Sequence, residues 1–116
     1  MIPRVLIFIS GDPRTNPRSA EAIRIAAGVG VWKKTEISVY LHGDAVLALS
    51  EYADGLADEE NYVRYLPILA GFGRPIYAQK DAPLLKETGR AALPYQEITG
   101  DELAALCARQ TCVIHF

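Results

Sequence analysis

Cysteine is scarce in this chain: Cys107 and Cys112 are the only two in 116 residues. Two thiols at the spacing CARQTC make neither a disulfide framework nor the CxxC of a redox pair, so a reducing, cytoplasmic setting is expected. Basic excess is also missing. Twelve Lys and Arg stand against fourteen Asp and Glu, a net charge of −2, which argues against a nucleic-acid partner gripped by its phosphates. No apolar run is long enough to cross a bilayer, and the opening MIPRVLIFIS is too short for a signal segment, so no membrane partner is expected. There is no Walker loop, GxGxxG fingerprint or GxSxG elbow, and thus no motif that marks an enzyme. Two histidines without ligand spacing imply no metal site.

What remains is an ordinary globular composition, 50% hydrophobic and 22% charged. Residues 1–116 read as one domain, able to bury roughly two-thirds of its unfolded surface in a single core. Arg4 to Ser10 is a continuous apolar, β-branched run, the pattern of a central parallel strand covered on both faces. Asn16 caps a helix that carries Pro17 at its first position. Ile23, Ala26, Ala27 and Gly30 fall on one small-residue face of it. Glu36 to Leu41 is a second strand, closed by His42-Gly43-Asp44, with Asp44 as the cap of a short helix over 45–50. Asp58 is expected to cap a helix running towards Ala70 that Pro67 kinks or ends early.

Pro75 to Ala78 is a short third strand. Asp81 is expected to cap a helix with Pro83 in its first turn, stopped by Gly89. Tyr95 to Ile98 is a fourth strand. Thr99 and Glu102 have capping-box spacing for a helix through Arg109, and Thr111 to Phe116 is a fifth strand. Five strands alternating with helices imply an α/β class with right-handed crossovers and a mostly parallel sheet.

Ligands of such sheets bind beyond the carboxyl ends of the strands, which singles out Asp12, Arg14, His42, Gln79 and Lys80 as candidate ligand-binding residues. The loop SGDPRTNPRS carries Arg14 and Arg18 ahead of a helix N-terminus. It reads either as an anion cradle or as a polar turn with a well-capped helix. His42 is either an acid–base group or a turn residue bonded to backbone. Lys80 is either an anion ligand or a solvated loop lysine beside Asp81. His115 reads as packing or interface. Cys107 shares a helix face with Leu103 and is expected in the core. Cys112 alternates with Ile114 and Phe116 and is expected on their apolar face, which leaves it only a weak candidate for thiol catalysis. The aromatics Trp32, Tyr52, Tyr62 and Tyr65 read either as interface surface or as half-buried packing.

The strand-turn VLIFISGDP, the small-residue helix SAEAIRIAAG, the strand-turn ISVYLHGDAV, the acidic segment before the middle helix, the strand GRPIYA and the closing ELAALCARQTCVIHF together resemble the DsrE/DsrF-like family of sulfur-relay proteins, which includes the DsrE/F/H and TusB/C/D subunits. The resemblance spans nearly the whole chain. It implies a flavodoxin-like, three-layer α/β/α fold, association into a homo-oligomer (trimer or hexamer), sulfur-relay proteins as partners, and no cofactor. In active members it also implies a persulfide-carrying cysteine just after the third strand. Here that stretch is Ile76-Tyr77-Ala78-Gln79-Lys80-Asp81, and neither glutamine nor lysine can hold a persulfide. Three readings follow: an accessory member without sulfurtransferase activity, an anion- or small-molecule-binding domain using the Arg14, His42 and Lys80 cleft, and a persulfide carrier using Cys112.

Overall fold

A computed structural model of the chain describes residues 2–50, 55–88 and 93–116. Strand β1 (Arg4–Ile9) leads to helix α1 (Pro17–Val31), strand β2 (Glu36–Leu41) and a 3₁₀ turn, η1 (Gly43–Leu49). Helix α2 (Glu59–Ala70), strand β3 (Ile76–Gln79) and a second 3₁₀ turn, η2 (Pro83–Glu87), follow. Strand β4 (Tyr95–Ile98), helix α3 (Gly100–Ala108) and strand β5 (Cys112–His115) complete the order. The strands form one sheet in the order β4-β3-β2-β1-β5, and every pairing in it is parallel.

This order decides which face each helix covers. From β1 to β4 the chain steps steadily across the sheet, so right-handed crossovers place α1, η1, α2 and η2 on one face. The last crossover reverses direction to bring β5 to the far side of β1, and α3 therefore lies on the other face. The two faces form separate apolar clusters. Ile7, Ile9, Ile23, Ala26, Leu41, Val46 and Leu66 belong to the larger one beneath α1 and α2. Leu6, Tyr40, Ile98 and Leu106 form the smaller one beneath α3. The result is a flavodoxin-like, three-layer α/β/α domain with unequal layers.

The small-residue face of α1 is buried as its spacing implies: Ile23 and Ala26 are 0% exposed. Asn16 caps this helix by accepting a hydrogen bond from the Arg18 N–H. The Thr99–Glu102 capping box at the start of α3 forms in both directions. Three expected caps fail. Asp44 lies inside η1, whose leading residue His42 makes no side-chain cap. Asp58 precedes α2 with φ of 55° and no capping bond. Asp81 takes φ of 60°, and Ala82 leads into η2 instead. In each case the turn bends the backbone away from the extended conformation a capping carboxylate needs.

Pro67 does not end α2, which continues to Ala70. It sits in the last turn, where its missing N–H frees only the Val63 carbonyl, and both residues are exposed to water. Gly89, the expected stop after η2, lies outside the described residues, as does Tyr52. Tyr62 is core, 2% exposed, and Tyr65 packs half-buried against the same cluster. The Tyr62 hydroxyl is buried, and burial raises its pKa, with Ser19 opposing the rise in smaller part. No described helix is long and apolar enough to cross a membrane.

Candidate functional site

The carboxyl edge of the sheet gathers the loops after β1, β2 and β3. After β1, Asp12 and Arg14 are turned on each other. Asp12 Oδ1 accepts from the Arg14 N–H at 2.9 Å and from Nε at 3.1 Å, and Oδ2 accepts from Nη2 at 3.0 Å. These hydrogen bonds hold the Asp12 carboxyl below its usual range and push the Arg14 guanidinium up. The pair is therefore self-neutralised. Gly11 makes the turn possible, because a Cβ there would lie 2.6 Å from Asn16 Nδ2 and 3.0 Å from Ser19 Oγ. Ser19 in turn donates to the Gly11 carbonyl at 2.9 Å. Arg14 opens towards a cavity of about 710 Å³ at the start of α2, whose other walls include Glu21, Asp58, Glu59 and Glu60. Arg24 also lines this cavity and is bound to Glu21, so the Arg14 guanidinium, held by Asp12, faces Asp58, Glu59 and Glu60 as the remaining charges.

On the α3 side the arrangement is aromatic. Alternation and register bring Phe8 of β1 between Tyr40 of β2 and His115 of β5. Ring centroids lie 5.1 Å from Phe8 to Tyr40, 5.4 Å to His42 and 4.7 Å to His115. The Tyr40 hydroxyl is 3.2 Å from His42 Nδ1. Burial raises the Tyr40 pKa, so this phenol keeps its proton at neutral pH, and which group donates follows the His42 tautomer. His115 is exposed, and its ring contact to Phe8 joins it to His42 across one strand. Sequence reading placed His115 in packing or an interface; the signal for the link was the alternation of Val113 and His115 against Leu6 and Phe8.

Gln79, the last residue of β3, is a clasp. Its Oε1 accepts from the Gly43 N–H at 2.7 Å, tying the end of β3 to the turn after β2. Gly43 has φ of 57°, which a side chain would strain. Gln79→Ala would leave that part-buried N–H without its partner, so a loss of about 1–2 kcal/mol in urea unfolding is expected. Gln79→Glu keeps an acceptor there and should lose less. The Lys80 N–H donates to the Ile98 carbonyl at 2.9 Å, while its ammonium makes no ion pair among the described residues. Its charge still reaches Glu102, whose carboxyl is lowered first by the capping bonds to Thr99 and in smaller part by Lys80.

Hydrogen bonds join Gln79 to the turn after His42 and Asp12 to Arg14, and no side-chain hydrogen bond links the two groups among the described residues. His42 and Gln79 share a hydrogen-bonded pair of turns on the α3 side, Lys80 leans towards the start of α3, and Asp12 with Arg14 faces the α1–α2 side. The cysteines also differ from expectation. Cys107 is half-buried against the smaller cluster. Cys112 keeps company with Ile114 on the α1 side, yet it is exposed, and Ile114 is 42% exposed. Strand β5 lies beyond β1, where α1 no longer covers the sheet. Among the described residues no three His, Cys, Asp or Glu side chains converge as metal ligands.

Fold and strand-end geometry together define a parallel, flavodoxin-like α/β domain. No family model matches the chain, and no curated protein sequence does. The crystal structure of the ychN protein from E. coli superposes with a TM-score of 0.75 over 98% of this chain and 99% of that one, at 20% identity. The two chains share the fold from end to end.

Proposed function

We propose that this chain is a DsrE/DsrF-like protein that serves intracellular sulfur relay as an accessory subunit of a homo-oligomer, a trimer or hexamer, without carrying persulfide after β3. The observation that supports this reading most is Gln79: the segment that bears the thiol in active members spends its side chain on an internal hydrogen bond to Gly43. The likeness of fold to ychN agrees with it. A partner-facing role draws support from the outer layer, where Trp32 is 74%, Val63 69% and Val31 55% exposed. Apolar exposure of that kind is what protein contacts bury. Static light scattering at micromolar concentration is expected to report a mass several times that of one chain. A monomer overturns the oligomeric reading.

One observation favours a second reading, that Cys112 itself carries sulfur: its thiol is open to solvent. In that exchange the Cys112 thiolate attacks the outer sulfur of a donor persulfide, the donor S–S bond breaks, and the donor leaves as a thiolate while Cys112 becomes a persulfide. Intact-mass measurement after treatment with a persulfide donor separates the two readings. Unchanged mass supports the accessory role, and a gain of one sulfur mapped to Cys112 replaces it. The strand-end anion reading has less behind it, because the Arg14 guanidinium is already bound to Asp12.

A further inference from the structure

Cations are in surplus at the amino edge of the sheet, whereas acids outnumber bases at the carboxyl edge. Parallel strands with returning helices start α1, α2 and α3 towards the carboxyl edge and end them towards the amino edge. Acidic residues crowd the helix starts: Asp44 in η1, Glu59 and Glu60 in α2, Asp101 and Glu102 in α3. Among the described residues the amino edge holds Arg4 at the start of β1, Lys33 and Lys34 between α1 and β2, Arg74 before β3, and Arg109 after α3, against Glu36 alone. Arg4 Nε and Arg74 Nη1 both lie on the Glu36 carboxylate, at 3.1 and 3.7 Å. Lys33 and Lys34 have no ion pair or hydrogen bond from their side chains among the described residues. Three helix ends supply about half a negative charge each. The five cations therefore exceed that demand and Glu36 by more than two charges.

Part of this surplus lines a cavity of about 450 Å³ bounded by Ile2, Gly30, Lys33, Glu36, Phe72 and Arg74, among others. Its size falls in the range of small-molecule sites, roughly 300–1,000 Å³. The Phe72 ring forms an apolar wall because residue 30 is glycine: a Cβ there would stand 2.3 Å from Phe72 Cε2. Arg74 is held in place by the hydrogen bond its Nε donates to the Ile37 carbonyl at 2.9 Å. Lys33 has φ of 59°, a conformation that a side-chain-bearing residue adopts at a cost. The cavity thus joins two cations, Lys33 and the backbone-held Arg74, and one carboxylate, Glu36, to an apolar wall, and keeps a net positive lining.

We propose that this amino-edge cavity binds a small organic anion. Its carboxylate, sulfonate or phosphate lies between Lys33 and Arg74, and its apolar or aromatic body rests on Phe72 and Ile2. This site is separate from the strand-end loops at the opposite edge and independent of any sulfur chemistry. If Lys33 and Arg74 served only to offset the helix ends, no ligand would be held.

The test uses anilinonaphthalene sulfonate, an aromatic body with one sulfonate, titrated into the native protein by fluorescence. One equivalent is expected to bind, more weakly as salt rises, and phenyl phosphate is expected to displace it. Lys33→Glu and Phe72→Ala should each weaken binding at least roughly tenfold, the scale of losing one good contact. Lys34→Glu changes net charge equally but lies outside the cavity wall, and should weaken binding less than roughly twofold. Near-ultraviolet circular dichroism verifies that each variant is folded. Equal weakening by Lys33→Glu and Lys34→Glu would reduce the effect to diffuse surface charge and overturn the proposal. Absence of stoichiometric binding by the native protein would do the same.

Discussion

Iodoacetamide added to the native protein is expected to label Cys112 promptly and Cys107 roughly tenfold more slowly or less, with the difference vanishing in denaturant. The argument rests on position in the sheet. Cys112 pairs in register with Val5, and Ile114 with Ile7, so both point to the face that α1 and α2 cover. Those helices lie over the strands they connect, and β5 is outside that span. The same alternation that buries Ile7, 1% exposed, leaves Ile114 at 42%. Cys107, by contrast, sits on α3 beside Leu106 and is packed against Leu6 and Tyr40. Peptide mapping distinguishes the two sites, and Cys112→Ser should remove the fast phase. Equal labelling of both thiols would mean that α3 does not stay docked on its face. Fast labelling of Cys112 alone would establish access, the first requirement of the relay reading, while leaving persulfide transfer to the mass measurement.

Leu106→Ala is expected to cost about 2–4 kcal/mol and to lower Tm by roughly 10 °C. Leu106 is the one buried residue of α3, and α3 is the only helix on its face of the sheet among the described residues. Removing it opens a void that Leu103 and Cys107, both half-buried, are poorly placed to fill. The loss should also be uneven. Amide exchange is expected to quicken most in α3 and β5, because β5 touches the sheet only through β1 and depends on α3 for cover. Strands β1, β2 and β3, held from the other side by the larger cluster, should keep more of their protection. A loss below about 1 kcal/mol, or a uniform rise in exchange, would show that the second face contributes little.

Much of the site was readable residue by residue and little of it as an assembly. His42, Gln79 and Lys80 were placed correctly at strand ends, because a strand's boundary is written in its apolar run and the turn residues after it. What each side chain touches was not readable. Arg14 is bound to Asp12 two residues away, a local contact that a loop without regular structure does not announce. Gln79 meets Gly43 across thirty-six residues, and His115 meets Phe8 through a pairing that closes only when the chain returns to β1. Caps divided in the same way. Asn16 and Thr99 act as their positions imply, whereas Asp58 and Asp81 sit at positive φ, where a neighbouring turn overrides the local preference.

The sequence by itself determined the succession of strands and helices, the small-residue face of α1, and the lack of a thiol after β3. All of these depend on period, on caps near in the chain, or on residue identity. Only the tertiary structure decided the strand order, and with it that β5 lies at an edge beyond the reach of α1. That edge position turns a cysteine of apolar pattern into an exposed one. Tertiary structure also decided that Arg4, Lys33, Lys34, Arg74 and Arg109 gather at the amino edge. The physical reason is common to both: period reports which way a side chain points along its own element, while burial and field depend on which other elements come to lie over it.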